Sequence, residues 1–170
     1  MKPLLVNPVR KRAVVHGHGG PVDPSPHVRK VLEAVPGLEL LDVQAPKQGW
    51  SYGCGIGSLG LVPPAQREAH NEFLDAAEKA GADLVVTLTH DGQMVLCEEE
   101  ARRPFQVRNF MSVLGEAMGI GREDLYKRYT LAGGADAVVQ AAEKFLERNR
   151  LDQSLVRDTV GQHLKWGKRV

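Results

Sequence analysis

Three glycine-containing stretches hold most of the residues that could do chemistry. They are His16-Gly17-His18-Gly19-Gly20, Gly53-Cys54-Gly55-Ile56-Gly57 and Thr89-His90-Asp91-Gly92. Histidine, cysteine and aspartate side chains are ligands for zinc or iron. His16, His18, Cys54, His90 and Asp91 therefore form a candidate metal set, provided a fold gathers the three stretches. Cys54 is also the candidate catalytic residue, as a lone reactive thiol. A place near a helix start would lower its pKa and favour the thiolate. A plainer reading stands beside each of these. Polar loop residues cap helices, and a lone cysteine often sits inert in a core.

Gly55, Gly57 and Gly60 satisfy the G-x-G-x-x-G pattern of dinucleotide-binding turns. Together with Gly53, Gly55 and Gly57 are the candidate cofactor-binding positions. The context argues for an ordinary glycine-rich loop instead. Gln44–Trp50 separates the pattern from the nearest strand, and Pro63–Pro64 follow closely. Trp50 and Tyr52 would cover the pocket or touch a partner. Ser58, His90 and Asp91 could be written as a triad, but no nucleophile-elbow sequence surrounds Ser58. Cys97, beside Leu96, reads as a packing residue. Glu98–Glu100 with Arg102 and Arg103 read as a solvated helix end. His27, His70 and His163 fall at helical positions that read as exposed.

Composition narrows the function classes. The chain has 170 residues, 42% of them hydrophobic and 25% charged, with a formal net charge of +1. This fits one domain with a small appendage. It offers no electrostatic footprint for nucleic acid. No apolar run approaches the roughly 20 residues of a spanning helix. Met1–Arg12 is too short and wrongly ordered for a secretory signal. The expected location is the cytoplasm, with no membrane insertion. Two cysteines cannot supply the four thiolates of a conventional iron–sulfur cluster or a Cys₄ zinc site.

Hydrophobic periodicity gives the elements that must position these residues. Strands are expected at 11–16 (KRAVVH), 38–43 (LELLDV) and 83–88 (DLVVTL), the first and last as buried parallel strands. Helices are expected at 27–34 and from Pro63–Pro64 to Lys79, ended by Gly81. A polar loop, 89–93, should lead to a helix at 94–101. Further helices are marked by Val107, Phe110, Met111, Leu114, Ala117 and Met118, and by Ala135, Val138, Val139, Ala142, Phe145 and Leu146. Strands alternating with helices imply an α/β fold: a Rossmann-like, short parallel sheet flanked by helices. The expected division is a domain over 1–150 and a helical C-terminal extension over 151–170. In such sheets the loops leaving the carboxyl ends of the strands form the site. The three chemistry-bearing stretches are those loops.

The order VVHGHGG, GLELLDV, WSYGCGIG, AEKAGADLVVTLTHDGQ resembles the cysteine-rich, or CCG, domain. That domain occurs in heterodisulfide reductase subunits B and D and in iron–sulfur subunits of glycolate and lactate oxidation. The family carries His-x-x-Cys-His, then Cys-Cys-Gly, then Cys-x-x-Cys, and these cysteines bind an iron–sulfur cluster or sometimes zinc. In this chain His16 matches the first histidine, but Gly19 and Gly20 stand where Cys and His would be. Gly53-Cys54-Gly55 matches Cys-Cys-Gly with one cysteine gone. Thr89 and Gly92 stand where Cys-x-x-Cys would be, with 33 residues between Gly55 and Thr89. Of five ligand cysteines implied by the resemblance, Cys54 alone remains.

The resemblance thus implies a subunit of a heterodisulfide-reductase-like redox complex without its own iron–sulfur cluster. It would act in assembly or in shaping a partner's redox site. Its expected partners are protein subunits of that complex or further copies of itself. If it takes part in catalysis, it does so as an oxidoreductase-complex subunit. The alternative is a stand-alone protein or metalloenzyme, holding zinc or iron in the His/Cys/Asp pocket.

Overall fold

The computed structural model describes residues 4–17, 24–43 and 63–167. Two compact units make up the chain, residues 1–122 and 123–170. The first is built on four strands: β1 (Lys11–His16), β2 (Leu38–Leu40), β3 (Leu84–Thr87) and β4 (Gln106–Asn109). All pair in parallel, in the order β2-β1-β3-β4. Its helices are α1 (Ser25–Leu32), α2 (Pro63–Lys79), α3 (His90–Leu96) and α4 (Phe110–Ala117), with a 3-10 turn at Cys97–Ala101. This is the expected Rossmann-like α/β class.

The central strands are apolar on both faces because both faces are covered. Ala13, Val15, Leu84 and Val86 point to one side. There they pack with Val28 and Leu32 of α1 and Val113 and Ala117 of α4. Val14, Val85 and Val107 point to the other side, against Phe73, Leu74 and Ala77 of α2 and Leu96 of α3. The period-2 alternation of strand side chains divides one apolar run between two cores.

Several elements depart from expectation. β2 ends at Leu40 rather than Val43, although the Leu41 N–H still donates to Ala13 O at 2.8 Å. The helix expected from Met94 starts at His90, because Thr89 caps it. Val107 belongs to β4, an element the periodicity did not mark, and α4 starts only at Phe110. The expected loop over 89–93 is therefore mostly helix.

β4 lies at an edge of the sheet, where a strand's outward N–H groups need other partners. The buried Val107 N–H donates to Glu100 Oε1 at 2.6 Å. Glu99 pairs with Arg102 and, at 3.3 Å, with Arg103, which also reaches Asp75 at 2.6 Å. The acidic run is thus an edge cover and an ion-pair anchor, not simply a solvated helix end. Glu100→Ala is expected to lower the unfolding free energy by about 1–2 kcal/mol, the cost of leaving a buried donor unmade. A urea midpoint shifted down at unchanged slope would show it, and an unchanged midpoint would rule it out.

The second unit is helical: α5 (Leu125–Leu131), α6 (Ala135–Ala141), α7 (Glu143–Asn149) and α8 (Gln153–Gly167). Its buried cluster is Val139, Ala142 and Leu146, packed by Tyr129 and Val156. Val139, Ala142 and Leu146 thus share a core with Val156 of the tail, within the unit that begins at Glu123. The single helix expected over 135–146 breaks at Ala142, where φ is −100° and ψ is 2°. α7 ends at Arg150 in the left-handed region, φ 53°. A side chain there costs energy that glycine avoids. Arg150→Gly is expected to stabilise by about 0.5–1 kcal/mol, read as a raised melting temperature.

Among the described residues, no helix is long and apolar enough to cross a membrane.

Candidate functional site

In a doubly wound sheet the ligand crevice opens where neighbouring strands send their helices to opposite faces. That point lies between β1 and β3. The helix after β1, α1, packs on one face of the sheet, and the helix after β3, α3, packs on the other. The strands end together, His16 opposite Thr87.

His16 is two residues beyond Val14 and so turns to the same face, toward α2. Its ring meets Phe73 edge-on at 4.9 Å between centroids and His70 at 5.6 Å. Thr87 follows Val85 in phase and turns to that face too. His16 is 3% exposed, His70 8%, Thr87 0% and Gln93 2%. Four polar side chains, from β1, α2, β3 and α3, thus sit buried at the carboxyl ends of the central strands. The Thr87 hydroxyl has no hydrogen-bond partner among the described residues.

Burial sets the charge of the histidine pair. Desolvation, reinforced by neighbouring His70, lowers the His16 pKa from 6.5 to about 3. Desolvation also lowers that of His70, against an opposing pull from Glu99. Both rings are neutral at pH 7. A neutral imidazole can donate through one nitrogen and accept through the other, or bind a metal without first losing a proton.

The start of α3 is closed by its own chain. Thr89 is extended at φ −122° and ψ 158°, and its Oγ1 accepts from the Gly92 N–H at 3.1 Å. This is an N-cap, satisfying a donor that the helix leaves open. A Cβ at residue 92 would lie 3.3 Å from Thr89 Oγ1 and 3.5 Å from Thr87 Cβ. The first is a tight approach and the second an ordinary contact, so the capping hydroxyl itself is what favours glycine there.

Of the candidate metal set, His16 lies in the buried layer and His90 lies exposed as the first residue of α3. Asp91 follows it on the same helical turn rather than on a loop. Among the described residues, no three of the His, Cys, Asp and Glu side chains are placed to hold a metal ion. His18, Cys54, Gly53, Gly55 and Gly57 lie outside the described residues, as do Trp50, Tyr52 and Ser58. Cys97 is buried, and its thiol donates to Met94 O at 3.6 Å.

Thr87 and Gln93 of this layer carry no mark in the sequence, whereas His70, expected at an exposed position, is buried in it. Its spacing carried the signal: residues 70, 73, 74 and 77 follow the i, i+3, i+4, i+7 pattern of one helix face. Phe73, Leu74 and Ala77 are all buried on that face.

An iron–sulfur cluster does not fit the described residues of this site. At the N-cap and third residue of α3, where the resemblance implies cysteines, the chain has a threonine and a glycine hydrogen-bonded to each other. Compared with protein-family models, curated proteins and solved structures, the chain matches none.

Proposed function

We propose that this chain is a cluster-free counterpart of the CCG domain, serving in the cytoplasm as a subunit of a heterodisulfide-reductase-like redox complex. It helps assemble that complex or shapes a partner's redox site, and it carries no electrons itself. The observation that carries this reading is the capped first turn of α3. Thr89 and Gly92 stand at the implied Cys-x-x-Cys positions and satisfy each other, so the turn needs no metal to close it. The parallel sheet supports the reading as well, because the loops after β1 and β3 leave the same end of adjacent strands.

The test is anaerobic purification of the tagged full chain from its native host. Iron, zinc and acid-labile sulfide are measured on the isolated chain, and co-purifying proteins are identified and scanned for visible absorption. The expected result is a chain with no stoichiometric iron or sulfide, recovered with a partner whose spectrum is that of a flavin or an iron–sulfur protein. A brown spectrum from the chain alone would overturn the cluster-free reading. Recovery of a free monomer would overturn the subunit reading. Stoichiometric zinc on the isolated chain would favour the stand-alone metalloprotein instead.

A further inference from the structure

We draw no further inference here: the strongest candidate, the buried polar layer of His16, His70, Thr87 and Gln93 at the carboxyl ends of β1 and β3, belongs to the site already described, and nothing among the described residues shows what it would bind.

Discussion

Acidification from pH 7 to pH 5 is expected to destabilise the protein by about 2 kcal/mol through His16 alone, with His70 adding in the same direction. In the unfolded chain a histidine titrates near 6.5. In the fold, burial takes His16 down to about 3. Between those values the unfolded chain binds a proton that the folded chain refuses. A folded pKa below the unfolded one means full stability above pH 6.5 and progressive loss as the pH falls toward 3. The slope per group is about 1.4 kcal/mol per pH unit, which gives about 2 kcal/mol by pH 5. His70, also lowered by burial, steepens the loss. Most carboxylates stay ionised above pH 5, so the window isolates the histidines. Urea midpoints at pH 7, 6 and 5 should fall steadily for the native chain and less steeply for His16→Gln. The ring protons of His16 should show no titration in an NMR series over the same range. A native midpoint that stays level from pH 7 to pH 5 would contradict the burial of a neutral pair.

How much of this was legible beforehand depended on whether the signal was local. β1 was readable to the residue, since KRAVVH is an unbroken apolar run behind two basic residues. α2 was readable at both ends: Pro63–Pro64 occupy its first turn, and Gly81 follows its last with φ 72°. β4 was not readable. It has one buried apolar residue, Val107, and exists because Gln106–Asn109 pair with β3, which no local pattern reports. The break at Ala142 was hidden for the opposite reason. Val138, Val139, Ala142 and Leu146 keep helical spacing straight across it, so periodicity alone sees one helix.

The ends of β1 and β3, from which two of the chemistry-bearing stretches leave, were legible, because topology sets them side by side. Their detail was not. Thr89 is followed three residues later by Gly92, whose N–H it caps. Reading Thr89 as an N-cap would have started α3 at His90 and moved His90 and Asp91 off the loop. Taken as a lone polar residue, His70 carries no sign of its burial. Its phase with Phe73, Leu74 and Ala77 decides its burial.

Placing cysteines at the N-cap and in the first turn of α3, as Thr89→Cys with Gly92→Cys, is expected to destabilise the fold by about 1 kcal/mol and to create no cluster site. Three effects compete. Losing the threonine cap costs about 1 kcal/mol. Replacing a helical glycine returns about 0.5 kcal/mol, since glycine is the poorer helix former. Crowding adds to the loss. The new Cβ falls 3.3 Å from the place of Thr89 Oγ1, a tight approach that a bulkier sulfur there makes tighter, while its 3.5 Å approach to Thr87 Cβ is ordinary contact. The components can be separated by urea denaturation. Thr89→Ser should nearly retain native stability, because the cap survives. Gly92→Ala should be nearly neutral in the native background, where the capping hydroxyl must give by a few tenths of an ångström, but stabilise a Thr89→Ala background by about 1 kcal/mol, a coupling that a double-mutant cycle measures directly. If Gly92→Ala instead raises native stability by the full helix-propensity gain of about 1 kcal/mol, the Thr89 hydroxyl is not an obstacle. The cysteine pair should also take up no stoichiometric iron or sulfide in anaerobic reconstitution. The first turn of α3 would then be more stable without sulfur ligands than with them. That is the preference to be expected of a domain whose work is to shape a neighbour's redox site and not to hold one of its own.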